Sequence, residues 1–268
     1  MNNTKQAIKD YELMLLNGAR YSGNSQNNKK IFSASMLGSD LLQAYYKYKY
    51  GYTEDTKFEA NTFGSIYQLG VDKAIENSDM FSLQYKSALR HEVKLPNGWT
   101  ISGEMDQIDT KNKVIIDNKV TTSTTIDSIR KEGKNHNYGL QLAVYKWLLY
   151  DYQKNVLNQE PDEYKTMLAI IDKKHSLFSK KIKYDMLTFV EINTYSLEEI
   201  ELMLVNKTNE LQQYIDLNEE PPMCENLFWY GQKGSRKPMK CLHYCDFSHH
   251  CKYYKNSEKD TLNILMDL

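Results

Sequence analysis

The chain has 268 residues, 41% of them apolar, enough for one large domain or a domain with an appendage. Its net charge of −1 gives no global positive field, so a nucleic-acid partner would need a local basic patch. No apolar run approaches the roughly 18 residues of a membrane span, and Met1-Asn2-Asn3-Thr4-Lys5 has no apolar stretch behind it to act as a signal peptide. The expectation is a soluble protein of the cytoplasm, with no membrane partner.

In chain order, residues 5–17 are apolar at helical spacing, and a polar loop comes next over Ser22 to Lys30. A helix is predicted from Ser33 or Ser35, either of which suits an N-cap, through Tyr50. A second fits Thr62 to Glu76, with Phe63, Ile66, Tyr67, Val71, Ala74 and Ile75 approximating one face. Strands are predicted over Leu89–Leu95 and Trp99–Ile108, joined at Pro96-Asn97-Gly98, whose Asn-Gly pair favours a hairpin. A third strand spans Lys113–Val120, with Val114-Ile115-Ile116 as its buried run. A helix over Tyr138–Gln153 comes after it, then strands over Met167–Asp172 and Thr188–Thr194 separated by the basic stretch Lys173 to Lys183. Ser196 caps a long helix to Leu217. After Pro221-Pro222 the character turns to Cys, His, Trp, Tyr and Lys. The expected fold class is α/β (α+β): a central mixed sheet flanked by helices over residues 1–220, and a small Cys-rich module over 221–268.

Chemistry concentrates in the third strand. Side chains alternate along a strand, so Asp117 and Lys119 share a face while Asn118 points away. Asp106 lies on the preceding strand, and antiparallel pairing can bring it to the same end of the sheet. Two carboxylates there make a hard oxygen site suited to Mg²⁺ or Mn²⁺. Beside them Lys119 can offset charge on a phosphate. A lone Asp-x-Lys is more often a solvated strand face. Here it comes after an apolar run and precedes a helix on which Gln141 and Tyr145 share a face, one turn apart.

Gly103-Glu104-Met105-Asp106, then Asp117-Asn118-Lys119, then Gln141-Leu142-Ala143-Val144-Tyr145 resembles the RecB-type, lambda-exonuclease-like branch of the PD-(D/E)XK nucleases. Phe32-Ser33-Ala34-Ser35 and Phe63-Gly64-Ser65-Ile66-Tyr67-Gln68 resemble two further helix motifs of that branch. The resemblance covers roughly residues 30 to 255. It implies a restriction-endonuclease-like core and a metal-dependent deoxyribonuclease, with Asp106, Asp117, Lys119, Gln141 and Tyr145 in the active site. It favours exonuclease over endonuclease, in recombination, repair or phage DNA processing. The family helix commonly carries His or Glu as a further metal ligand four residues after its glycine. Here that position is Gln68, a poorer ligand for a hard cation, and Asp72, one turn later, is the candidate substitute. Two other readings therefore stay open: a DNA-binding protein with a decayed nuclease site, or a metal-stapled interaction module.

All four cysteines, Cys224, Cys241, Cys245 and Cys251, fall within 28 positions, which points to one Zn²⁺ site or [4Fe–4S] cluster. Several RecB-type nucleases have a comparable C-terminal cysteine triplet around a cluster, with a fourth cysteine far upstream. This chain has none there, so either Cys224 takes that place or the cluster is absent. Around them Lys233, Arg236, Lys237 and Lys240 interleave with Trp229 and Tyr230. Cations contact phosphates and aromatics stack on unpaired bases, which suits single-stranded DNA or a duplex end; a solvated surface with inward aromatics explains the same residues.

Overall fold

A computed structural model of the chain describes residues 29–51, 58–173, 184–225, 241, 245 and 247–254. By their contacts the residues form two units, the first including Ile31–Gly38 and Glu59–Asn206, the second including Ser39–Phe58 and the chain from Lys207 onward.

The first unit is built on a six-stranded mixed sheet. Its strands are β1 (Ile31–Ser33), β2 (Tyr85–Lys94), β3 (Thr100–Asp109), β4 (Val114–Thr121), β5 (Lys165–Asp172) and β6 (Leu187–Glu191). The order is β1-β3-β4-β5-β6, with β2 also paired to β3. The β2–β3 hairpin closes as its sequence predicts: Gly98 turns at φ 85°, its N–H donating to the Leu95 carbonyl at 3.0 Å. A second tight turn makes β3 and β4 antiparallel, from Gln107 opposite Ile116 to Asp109 opposite Val114. From β4 the chain crosses over through two helices, α4 (Ser123–Glu132) and α5 (Asn137–Asp151), and returns parallel as β5.

Helix α5 packs across β2, β3, β4 and β5. Its Leu142, Ala143, Val144, Tyr145, Trp147, Leu148 and Leu149 are buried, with Met105, Ile108, Ile115, Leu168 and Ile170 of the sheet forming the core. Gly139 admits its first turn, since a Cβ there would lie 2.5 Å from the Gly133 carbonyl oxygen. At its far end α5 passes into a π-helical turn, Tyr152–Val156, in place of the continuous helix to Gln153 that the spacing predicts.

Between β1 and β2 the chain forms three more helices, α1 (Leu41–Tyr50), α2 (Phe58–Glu76) and α3 (Asp79–Gln84). The single helix expected from Ser33 to Tyr50 is instead β1, a 3-10 turn over Ala34–Met36, and α1. The break is at Gly38, whose missing Cβ would stand 2.9 Å from the Asn137 Cα. Strand β1 then pairs in parallel with Thr100–Ser102, and Phe32 is fully buried against the edge of Trp99. Helix α6 (Leu197–Leu217) comes after β6, Ser196 Oγ accepting from the Glu199 N–H at 3.2 Å as predicted of its cap.

In the second unit, Leu42, Ala44, Tyr45 and Tyr46 of α1 are buried, as are Leu211, Phe247, Cys241, Cys245 and Cys251. The Tyr46 and Phe247 rings lie 6.2 Å apart, and Tyr50 stacks on His250 at 4.0 Å. Of the four cysteines expected to share one centre, Cys224 is half-buried and Cys241, Cys245 and Cys251 are buried. Among the described residues no group of three or more His, Cys, Asp or Glu could hold a metal ion, and no cysteine is in a disulfide. Lys233, Arg236, Lys237, Lys240, Trp229 and Tyr230 lie outside the described residues, as do residues 1–28 and 174–183. No helix among the described residues is long and apolar enough to cross a membrane.

Candidate active site

Asp106 sits where β3 loses its regular partners. On one edge β2 pairs with β3 on either side of it, Ser87 with Gln107 and Leu89 with Met105, while Ala88 opposite stands at φ 51°. A non-glycine residue there stores on the order of 1 kcal/mol or more of strain. The other edge is shared: β1 takes Thr100–Ser102 and β4 takes Gln107–Asp109, leaving Gly103–Asp106 between them. Into that gap the Asp106 carboxylate accepts the Asn118 backbone N–H at 2.7 Å.

Asp117 and Lys119 project from β4 as alternation dictates. Lys119 Nζ lies 2.7 Å from Asp117 Oδ2, and the Asp117 side chain is 1% exposed. That oxygen has the ion-pair partner but receives no well-directed hydrogen bond. The electrostatics are those of a buried carboxylate, Asp117, with a half-buried carboxylate and a half-buried ammonium beside it. Burial, then the charge of Asp117, pushes the Asp106 pKa up to about 7, against the pull of Lys119 and the Asn118 N–H. Burial opposes the charge on Lys119 too, but Asp117 and Asp106 overcome it and hold its pKa above the ordinary lysine value.

Gln141 and Tyr145 present the α5 face to this cluster. Gln141 Nε2 donates to the Tyr145 hydroxyl at 2.6 Å. Burial, and then the nearby Asp117 charge, raises the Tyr145 pKa, so the phenol stays protonated. Gly103 sets how closely α5 approaches: a Cβ there would meet Leu148 Cδ1 at 2.6 Å and Tyr145 Cε1 at 3.0 Å. Gly103→Ala is therefore expected to cost about 1–3 kcal/mol by overpacking and to displace the Tyr145 ring. A denaturant titration checks the first effect and the Tyr145 ring resonances check the second.

Gln68 joins from α2, by a route its sequence position does not show. Alternation sends the Asn118 side chain to the face opposite Asp117, where Nδ2 donates to Gln107 Oε1 at 2.6 Å and Gln68 Oε1 at 2.7 Å. Gln68 Nε2 then donates to Asp72 Oδ1 at 3.1 Å. Asp72 is 8% exposed, and its charge contributes to the rise of the Asp106 pKa. Glu104, by contrast, turns to Arg90, 3.9 Å from its Nη1, within a group that also holds Glu92 and Ser102.

Two participants had no signal of their own in the sequence. Asn118, the neutral middle of the triplet, ties Asp106, Gln107 and Gln68 together. Tyr138, one turn before Gln141, lies under the Lys119 ammonium at 5.0 Å.

The sequence model of the PD-(D/E)XK nuclease superfamily matches residues 71–252, well over half the chain and all of β2 to β6. The chain belongs to the PD-(D/E)XK nuclease superfamily. The mixed sheet flanked by helices is the restriction-endonuclease-like core expected of a superfamily member. Among solved structures, that of SSO0001 superposes on 91% of this chain and 96% of its own at a TM-score of 0.55 and 16% identity. A phage-related exonuclease from Haemophilus somnus 129PT covers 73% of this chain and 97% of its own, at a TM-score of 0.43 and 18% identity. No protein with a curated description matches the chain.

The donor set fits a divalent cation. Two neighbouring carboxylates, Asp117 buried and Asp106 half-buried and pushed toward protonation, share a single lysine and so carry more negative charge than it compensates. Hard carboxylate oxygens suit Mg²⁺ or Mn²⁺.

Proposed function

We propose that this superfamily member hydrolyses DNA phosphodiester bonds with Mg²⁺ or Mn²⁺ held by Asp106 and Asp117. The observation that carries the reading is the meeting of Asp106 with Asp117 and Lys119, where desolvation and then the Asp117 charge push the Asp106 pKa up to about 7. A divalent cation bound there supplies Lewis acidity to a phosphoryl oxygen and lowers the pKa of a coordinated water. Lys119, already held as an ammonium, orients a phosphate oxygen and offsets charge that develops on it. Tyr145 keeps its proton, so it acts as a hydrogen-bond donor, and Gln141 fixes its hydroxyl. Exonuclease action on single strands or duplex ends is the reading the RecB-type motifs favour, as are roles in recombination, repair or phage DNA processing. Lys233, Arg236, Lys237, Lys240, Trp229 and Tyr230 are the proposed DNA-contacting residues. Residues 221–268 are the corresponding module beside a nuclease core of 1–220.

One observation favours a second reading, that the protein binds DNA without cutting it. Both ends of the Gln68 amide are engaged, with Asn118 and with Asp72, where relatives of this branch supply a metal-ligating side chain. End-labelled single- and double-stranded DNA incubated with Mg²⁺, Mn²⁺ or EDTA separates the two. Cleavage with either cation and none with EDTA supports the nuclease; binding without cleavage under all three supports the second reading. If Gln68 stands at a ligand position, Gln68→His tightens Mn²⁺ binding about tenfold by adding an imidazole donor. Calorimetric titration of both proteins checks this, and equal affinity removes Gln68 from the metal site.

A further inference from the structure

We infer that Tyr138 is a positioning residue for Lys119, its ring being the surface that keeps the ammonium at the carboxylate pair. The inference rests on Lys119 being the phosphate-facing cation of the site. Lys119 is a flexible side chain with three N–H donors and a single close anionic contact, Asp117 Oδ2 at 2.7 Å. Its Nζ also lies over the Tyr138 ring, 5.0 Å from the centroid. The face of an aromatic ring carries partial negative charge, and its attraction for a cation is strongest where water is excluded. Here the lysine side chain is 18% exposed.

The ring is itself fixed. His136 caps α5, its Nδ1 accepting the Tyr138 backbone N–H at 3.2 Å. The His136 and Tyr138 rings lie 5.0 Å apart. His136, Tyr138 and Lys119 thus form a short run of contacts that ends on Asp117. Spacing puts Tyr138 on the α5 face of Gln141 and Tyr145, so one helix face orders three groups of the site.

The arrangement has a use that the ion pair alone does not meet. When Asp117 gives its charge to a divalent cation, its hold on Lys119 weakens. The Tyr138 ring does not take part in that exchange, so it still confines the ammonium near the phosphate.

Two readouts on the full chain test this. In the metal-free protein, the Lys119 ε-methylene protons should resonate upfield of ordinary lysines through the ring current, the signal being assigned by its loss in Lys119→Arg. Tyr138→Leu should return the signal to the ordinary position, and Tyr138→Phe should leave it displaced. With Mg²⁺ and labelled DNA, Tyr138→Leu should lower kcat about tenfold with KM within about twofold, and Tyr138→Phe should stay within about twofold of wild type. An unmoved Lys119 signal in the folded Tyr138→Leu protein overturns the inference. So does a loss of kcat in Tyr138→Phe equal to that in Tyr138→Leu, which would assign the role to the hydroxyl. A wild-type protein that does not cleave DNA refutes the nuclease reading instead, and the Lys119 signal still decides whether the ring holds the ammonium.

Discussion

Asp117→Asn is expected to lower Mg²⁺-dependent DNA cleavage on the order of 10³-fold while leaving the fold in place. The substitution keeps the shape of a side chain that is 1% exposed and removes only its charge. That charge is what Lys119 is paired with, and together with the larger effect of burial it pushes Asp106 toward protonation. Losing it leaves one carboxylate where a divalent cation needs two, and leaves the ammonium with Asp106 as its remaining carboxylate. Stability should change little, by about 1 kcal/mol in either direction, because a buried ion pair and a buried repulsion disappear together. Single-turnover cleavage of labelled DNA, with circular dichroism melting of the same preparations, makes the measurement. Activity within tenfold of wild type, in a folded and contaminant-free variant, would sink the assignment of Asp117.

The parts of this site that were legible in the sequence are those fixed by local periodicity. Val114-Ile115-Ile116 announces a buried strand, alternation puts Asp117 and Lys119 on one face, and the spacing of Gln141 and Tyr145 puts both on one helix face. The parts that were not legible are set by contacts between residues far apart in the chain. Gln68 meets Asn118 across 50 positions, and no pattern in either segment signals that pairing. Helix α4 gives no sequence signal because Ser123-Thr124-Thr125-Ile126-Asp127-Ser128-Ile129-Arg130-Lys131-Glu132 reads as polar chain. Only Ile126 and Ile129 anchor it, both fully buried. Strand β1 has three residues, too few to show a period, and its pairing with β3 outweighs the helical preference of the residues next to it.

The same electrostatic imbalance makes Asp106 a liability in the absence of metal, and Asp106→Asn is expected to stabilise the metal-free protein by about 2 kcal/mol at pH 8. Its carboxyl has a folded pKa of about 7, raised from an ordinary value of 3.8. A raised carboxyl pKa means that the folded state holds its proton more tightly than the unfolded state does. The contribution of this group to stability is therefore fully present below about pH 4, falls as pH rises through about 7, and is flat above. Asparagine retains the acceptor for the Asn118 N–H, which Asp106 takes at 2.7 Å, and carries no charge at any pH. The stability difference between variant and wild type should accordingly vanish near pH 4 and reach its full size by pH 8. Added Mg²⁺ should stabilise the wild type at pH 8 and have little effect on the variant, because the cation supplies the positive charge that Lys119 alone does not. Urea titrations of both proteins at pH 4, 6 and 8, with EDTA and with Mg²⁺, test each part. A variant less stable than wild type at pH 8 in EDTA would show that the Asp106 carboxylate is already compensated within the protein, and that the charge argument for a cation at this site is wrong.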